Sequence, residues 1–532
     1  MSSHLTIIAS LFFCINNRKG VSVPKYDRSA LTSSILHVGV GNFHRAHQAD
    51  HIDKVLQKDF DNNKQWGIIG GSLYAPNRPT AEKRKQLEDQ DWMQTIVEQD
   101  GESEKAIVIG SMTDFLPVDE DNGSIQKTMM DPNIKIVSLT VTEGGYFLTE
   151  GKFDVNDPQI QYDIKNIDGT PKTVYGMLVK ALKHRRDEGL EPLTVLSCDN
   201  LPHNGDVVRS VLLGIASEVD ADLAKWIEQN VACPNNMVDR ITPRTTDENR
   251  EHIKQKYGYE DSWPIFCEPF TQWVLEDSFP QGRPQLELLD SVTFVDDVSP
   301  YEFKKIRILN GGHASLCYPA ALLDVEYVHE ALEHPVIGPF LDALEYSEII
   351  PTVGPVPNVS LPEYWTLVAK RFANPTIMDG IPRICFGGAS NQPKFTIPVA
   401  EDNLKAGRGV DGIALVSAMW CRYCQGKTES GADIAPNDPQ WDRLQETALK
   451  AADEPTAWLT ELTDVYGEVG KHPEFASSFT KWMKIIQSQG VVSAMGEYTE
   501  STRKAEASPI RTALEESTMA AAIDEAKNPG GK

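Results

Sequence analysis

The stretch Ser34–Val40 (SILHVGV) is a short apolar run closing in a glycine turn, and the segment behind it, Arg45 to Gln57, carries its apolar residues at helical spacing. A strand, a tight turn and a helix in that order constrain the chain strongly, because the next strand can join the first only by a crossover, which makes the pairing parallel. Further apolar, β-branched runs follow at Trp66–Tyr74, Ala106–Gly110, Ile134–Thr142 and Leu193–Cys198, with helix-like segments such as Val174–His184 and Asp206–Ser217 between them. Alternation of this kind predicts an α/β domain, a doubly wound parallel sheet covered on both faces. From about Tyr301 the texture changes: Ile306–Leu323, Glu326–Tyr346, Gly412–Gln425 and Pro473–Gln489 read as helices and strand candidates become rare. A mostly α-helical second domain is expected, divided from the first at the turn residues Asp296–Pro300. The stretch Ser501–Lys532 ends in Asn-Pro-Gly-Gly-Lys and is expected to fray beyond Ala526.

Composition narrows what such a chain can do. At 532 residues it is about three ordinary domains long, and its 40% hydrophobic and 24% charged content is that of a globular protein. With 51 basic against 77 acidic residues and no concentrated basic patch, the net charge of −26 disfavours nucleic acid and anionic membranes as partners. The eight cysteines are few and mostly isolated, as expected of reduced cytoplasmic thiols. Leu5–Cys14 has the length of a signal-peptide core, but no Lys or Arg precedes it and no clear cleavage site follows. No run reaches the roughly 18 apolar residues that span a bilayer, so a cytoplasmic protein is expected.

Three segments carry candidate chemistry. In Gly39-Val40-Gly41-Asn42-Phe43-His44 the two glycines permit a tight turn and close approach of a pyrophosphate, although His44 stands where the dinucleotide fingerprint has its third glycine. The acid that would bind the adenosine ribose is absent from Gly71–Arg78 at the end of the second strand, so NAD is not assured, and Arg78 could tolerate the added phosphate of NADP. In Tyr301–His313, a helix wheel at about 100° per residue puts Glu302, Lys305, Asn310 and His313 on one side, together with Ile306 and Leu309. The consecutive glycines Gly311 and Gly312 cost roughly 1 kcal/mol each inside a helix, which implies close approach of another backbone or a ligand. The alternative is a surface helix with a solvated Lys304-Lys305-x-Arg307 cluster. The third segment, Ser197–Gly205, puts Asn200 just past a strand end, where ligands bind in open α/β sheets; the alternative is an ordinary turn with Asn204 capping the next helix. Cys421-Arg422-Tyr423-Cys424 imitates a redox dithiol but lies in a helical segment far from any strand. Tyr301 and Lys305 imitate a Tyr-x-x-x-Lys pair but come some 260 residues after the glycine turn, far too late for a short-chain dehydrogenase, and no cluster has catalytic zinc spacing.

Taken together, HVGVGNFHRAHQADHID (37–53), TVTEGGYFL (140–148), SCDNLPHNG (197–205), PNNMVDRITPRT (234–245), KIRILNGGHASL (305–316) and RFANPTIMDGIPRI (371–384) resemble the polyol-specific long-chain dehydrogenases, in family order from about residue 24 to residue 500. The resemblance implies a Rossmann-like dinucleotide-binding domain over 24–297 and a helical substrate domain over 298–510, flanked by an extension (1–23) and a tail (511–532). It implies metal-free oxidation of a secondary alcohol, D-mannitol to D-fructose, with NAD or NADP, by a monomer whose site lies between the domains. Lys305 would be the general base, which requires a lysine pKa lowered from about 10.4. Asn200 and Asn310 would donate to the developing alkoxide. His313 would orient substrate and base, Glu302 would relay the proton to solvent, and Asp239 and Arg383 would hold substrate hydroxyls. Gly39, Gly41, Asn42 and Phe43 would line the coenzyme site. This chain departs from the family in having Phe386-Gly387-Gly388-Ala389-Ser390 where an Asp-Gly-Ser run is usual.

Fructuronate or tagaturonate reduction and arabinitol oxidation are the rivals within the superfamily. A sugar acid would need a further cation in the pocket. Outside it stands a nucleotide-binding protein that kept the fold and lost the chemistry, against which the joint retention of Lys305, Asn310 and His313 argues.

Overall fold

A computed structural model of the chain describes residues 20–76, 79–149 and 151–506. Arg78, the run Leu5–Cys14 and the tail beyond 506 lie outside the described residues. The chain forms two compact units, one reaching Glu302 and the other starting at Phe303.

The first unit is built on five parallel strands in the spatial order Thr194–Ser197, Ile136–Leu139, Ser33–Val38, Gly67–Gly71, Met112–Phe115. The first strand in sequence therefore lies in the middle, and the connections depart from it in opposite directions. That reversal opens a crevice at the carboxyl ends of the strands. Side-chain alternation explains why both faces are covered. Leu36 and Val38 join Val137, Leu139 and the helix Val174–Asp187 in one core, while Ile35 joins Ile68, Ile136 and the helix Gln48–Lys58 in another. Each fully buried aliphatic residue contributes roughly 1.5–3 kcal/mol.

The expected strand at Ala106–Gly110 forms as Glu104–Ile109, outside the parallel sheet. It is the antiparallel partner of Gln94–Gln99 in a separate four-stranded sheet, because the short loop Asp100–Ser103 joins the two as a hairpin and leaves no crossover. A third sheet pairs Asn236–Asp239 antiparallel to Gln272–Glu276, which runs parallel to Val292–Val295.

Every regular element of the second unit described here is helical. The segment expected as one helix over Glu326–Tyr346 is broken into Val328–Glu333 and Ile337–Leu344, followed by a π-helical turn at Glu345–Ile349; Pro335 falls in the first break. The last helix runs on past Gln489 to Glu506 and bends at Gly490, whose φ is +83°. There the carboxylate of Glu429 accepts the Val491 N–H at 2.7 Å and stands in for the interrupted helix bonds. No helix among the described residues is long and apolar enough to cross a membrane.

Candidate active site

At the carboxyl end of the central strand, Gly39 adopts φ +109°, and a side chain there would run into the Thr140 carbonyl oxygen. Only glycine lets these two strand ends approach so closely. Gly39 and Gly41 line a cavity of about 480 Å³ together with Ser72, Thr140 and Thr142. A Cβ on Gly41 would meet only the Gly39 carbonyl, at 3.7 Å, so the space a side chain would fill is open to a ligand. Asn42 and Phe43 are not part of that lining. The Asn42 amide donates to Pro243 O and Thr245 Oγ1, and Phe43 stacks on His47 with ring centroids 5.0 Å apart. The single helix expected behind the turn is split at His47 into Asn42–Ala46 and Gln48–Lys58.

Beneath the turn lie four buried histidines. His37 stacks on His44 at 3.5 Å and bonds Ser138 Oγ at 2.8 Å, His47 Nε2 bonds Gln272 O at 3.0 Å, and His51 bonds His47 O and Ser291 Oγ. Burial holds His37 down at about 3 and His51 at about 4, and keeps His44 and His47 well below the ordinary imidazole range, so all four are neutral at neutral pH. Arg240, next to Asp239, is also buried and donates to Asp50 and Glu98, each at 2.7 Å, and to Ala46 O at 2.6 Å.

Asn200 and Asp239 follow or end strands that share one clasp. Asn236 donates to Ser197 O at 2.6 Å, Asn204 donates to Asn236 O at 2.8 Å, and the Trp273 indole N–H donates to Asn236 Oδ1 at 3.0 Å. Asn204 thus ties strands together and does not cap the helix, whose N-cap is His203. Asn200 is exposed at the turn and Asp239 is buried. Glu302 joins the same turn, its carboxylate accepting the His203 N–H at 3.1 Å. Burial pushes the Glu302 carboxyl up to about 7, with Glu276 and Asp206 adding to the rise and His203 opposing it. Sequence reading passed over Asp199, whose carboxylate accepts from Val141 N, Thr142 N and Tyr146 Oη at 2.7–3.1 Å and pins the two loops together. An acid directly before Asn200 at a strand end was the available signal.

In the second unit Lys305–Asn310 is a π-helical turn running into the α-helix Gly311–Leu322. The wheel drawn at about 100° per residue therefore does not hold here. The wider i→i+5 turn rotates Asn310 and His313 relative to Lys305, although all three stay on one continuous element. Lys304, Lys305 and Arg307 are buried, and the solvated-cluster alternative falls. Lys304 Nζ sits 3.9 Å from the centroid of the Tyr364 ring and Arg307 donates to Asp402 at 2.7 Å. Close approach at the paired glycines is met by protein: a Cβ on Gly311 would lie 3.3 Å from Phe395 O, and one on Gly312 would lie 2.9 Å from Glu345 Oε1. Glu345 is fully buried, neither carboxylate oxygen has a hydrogen-bond partner among the described residues, and burial holds its carboxyl well above the ordinary range. The His313 ring stacks on Phe372 at 4.0 Å and 8°.

Arg383 lies on the short helix Ile381–Cys385, paired in two places with Asp379 at 2.7 and 2.5 Å and largely exposed. The departure that follows has a packing reason, since a Cβ on Gly388 would lie 2.6 Å from Tyr318 Oη and 2.7 Å from Trp420 Nε1. Cys421 and Cys424 are buried in Asp411–Cys424, and burial raises both thiols well above their usual range, the opposite of a reactive dithiol.

Two family descriptions match the chain, the mannitol dehydrogenase Rossmann domain over residues 33–288 and the mannitol dehydrogenase C-terminal domain over 297–487. A mannitol 2-dehydrogenase of Cereibacter sphaeroides is 46% identical over 90% of this chain and 99% of its own length. That of Phaeosphaeria nodorum is 36% identical over 91% and 84%. Among solved structures, Pseudomonas fluorescens mannitol 2-dehydrogenase in ternary complex with NAD and D-mannitol superposes with a TM-score of 0.82 at 36% identity, covering 91% of this chain and 98% of that one. A substrate-free D-sorbitol dehydrogenase superposes with a TM-score of 0.80 at 33% identity. The Rossmann sheet, the helical second unit and these full-length likenesses converge: the chain belongs to the mannitol dehydrogenase family.

Proposed function

We propose that the chain oxidises D-mannitol to D-fructose with NAD, and reduces the ketose in the reverse direction. The observation that carries this reading is the 36% identity, over nearly the whole of both chains, to a dehydrogenase solved with NAD and D-mannitol bound. The open space at Gly41 and the strained Gly39 turn suit a dinucleotide lying across the strand ends. When bound, the nicotinamide supplies the hydride acceptor.

The remaining chemistry is assigned to the chain's own residues. Lys305, buried on its π-helical turn, takes the hydroxyl proton at Nζ. Asn200 and Asn310 donate through their amides to the oxygen as it becomes an alkoxide. His313, its ring fixed flat against Phe372, orients the hydroxyl, and Asp239 and Arg383 take neighbouring hydroxyls. Glu302 has its carboxyl near 7, so it exchanges protons at working pH and passes the one released by Lys305 to water. No metal is required by this scheme. We further infer a monomer in a reducing, cytoplasmic setting, supported by seven described cysteines that are all unpaired and buried.

The decisive assay follows reduced nicotinamide with D-mannitol, arabinitol and fructuronate as substrates. D-mannitol oxidation should dominate and persist in a chelator, and Lys305→Ala should lower turnover by several orders of magnitude while coenzyme binding remains. Faster turnover of fructuronate than of fructose would overturn the substrate assignment, and an active Lys305→Ala enzyme would overturn the base.

A further inference from the structure

One carboxylate holds part of the rim of the coenzyme cavity in a strained shape. Thr140, Val141 and Thr142 follow the strand Ile136–Leu139 and line the cavity. That strand pairs with the central strand Ser33–Val38 on the side away from Gly67–Gly71. Its end therefore faces the second half of the crevice, where a dinucleotide crossing the strand ends lays its other nucleotide. Thr142 has φ +67° and ψ +162°, a region of backbone space that glycine alone enters readily and to which a branched Cβ is poorly suited. Such a shape persists where neighbouring bonds enforce it. Here the bonds come from Asp199, whose carboxylate accepts the Val141 N–H at 2.8 Å and the Thr142 N–H at 3.1 Å. The Thr142 carbonyl accepts the Gly145 N–H at 2.9 Å in the turn Glu143–Tyr146, and the Tyr146 hydroxyl at the end of that turn donates back to the same carboxylate at 2.7 Å. Ser197 completes a ring of hydrogen bonds. Its Oγ accepts the Asp199 N–H at 3.2 Å and lies 2.6 Å from Tyr146 Oη, whose one proton goes to Asp199, so the serine donates to the tyrosine.

The backbone of Asp199 acts on its other neighbour. Its carbonyl accepts the Leu201 N–H at 2.9 Å, which makes a three-residue turn with Asn200 at the apex, and it also accepts the Asn204 amide at 3.2 Å. One residue thus ties the cavity rim to the amide assigned to the alkoxide. We propose that Asp199 is a positioning residue for hydride transfer: by holding the strained rim and the Asn200 turn as one piece, it sets where the nicotinamide half of the coenzyme lies relative to the Asn200 amide. This rests on the reading of the cavity as the coenzyme site, and Asp199 acts through Thr142 and Asn200.

Calorimetric titration of the full-length enzyme with AMP and with NADH separates this role from general support of the fold, since AMP occupies the adenosine half alone. Asp199→Asn keeps the size of the side chain but presents an NH2 group where the loop's own N–H groups need an acceptor. NADH is expected to bind this variant about tenfold more weakly, the scale of one hydrogen bond to a charged group, while AMP binds as in the wild type. At saturating NAD, kcat for D-mannitol should fall about tenfold with KM for D-mannitol held within about twofold, the pattern of an interaction made in the transition state. Tyr146→Phe leaves the carboxylate in place and removes one donor, and should weaken NADH in the same direction by about threefold; if Asp199→Asn does not fold, this variant decides. Equal weakening of AMP and NADH overturns the proposal, because Asp199 then supports the fold alone, and so does no weakening of either. Weaker NADH with an unchanged kcat breaks the link to Asn200 and overturns it as well. A wild-type enzyme that binds neither ligand overturns the coenzyme reading itself.

Discussion

Replacing Glu302 by glutamine removes one titration from the folded state, and its effect on stability has a definite sign and size. An ordinary glutamate ionises near 4.5, while burial holds this one until about 7. Below the lower value both folded and unfolded chains carry the proton and the group is neutral to folding. Between the two values the unfolded chain has released the proton and the folded chain keeps it, so stability falls by about 1.4 kcal/mol per pH unit. Above the upper value the loss is complete, at about 3 kcal/mol for the interval between 4.5 and 7. Glutamine preserves an oxygen for the His203 N–H and has no proton to lose. Urea unfolding of the wild type and Glu302→Gln, followed by tryptophan fluorescence across that range, should show the difference in free energy moving in favour of the variant by about 3 kcal/mol as pH rises. Titrating groups that do not interact with Glu302 cancel in the difference. A difference that stays flat from acid to alkaline pH would refute the reasoning, and so would one that moves against the variant. On the proposed relay from Lys305 through Glu302 to water, the same substitution should flatten the pH profile of kcat near neutrality.

Three further substitutions have predictable outcomes. Gly39→Ala combines a φ of +109° with collision against the Thr140 carbonyl, and should cost roughly 2–4 kcal/mol and abolish AMP binding, as read by thermal unfolding with and without nucleotide. Arg240→Met strips a buried cation from Asp50 and Glu98 and should cost roughly 3–5 kcal/mol, only partly relieved by the Lys54 ammonium 2.7 Å from Asp50. Glu345→Gln removes a carboxyl whose proton is held far above the usual range; thermal scans should show the variant gaining on the wild type as pH rises and matching it in acid.

Much of the first unit was legible because its strands are fully buried and therefore read as unbroken apolar runs: Ile35–Val38, Ile136–Leu139 and Val195–Leu196 need no partner to be recognised. Glu104–Ile109 looks the same in sequence and belongs to a different sheet, because the number of residues in a hairpin loop decides pairing and hydropathy does not register it. The glycine turn was placed correctly by its position after the first strand, but the roles of its neighbours depended on distant partners. Asn42 is bound to Pro243 and Thr245, some two hundred residues away. The π-helical turn at Lys305–Asn310 could not have been seen, since an apolar stripe has almost the same pattern whether one turn is α or π. Gly311 and Gly312 did announce close approach, and the visitors proved to be Phe395 and Glu345.

The buried, uncharged imidazoles under the glycine turn have a consequence for how the molecule fails. In mild acid an unfolded chain would protonate His37, His44, His47 and His51, which the folded interior forbids, and this bias outweighs the opposite one from Asp53, raised by burial to about 6, and Glu302. In the helical unit burial instead raises the carboxyls of Glu345 and Glu348, the latter to about 7. Acidification below neutrality therefore loosens the coenzyme half through these imidazoles while Glu345 and Glu348 tighten the helical half. Two halves with opposed proton appetites do not melt together at every pH: a calorimetric endotherm that is single near neutrality should separate into two in mild acid, the coenzyme half melting first.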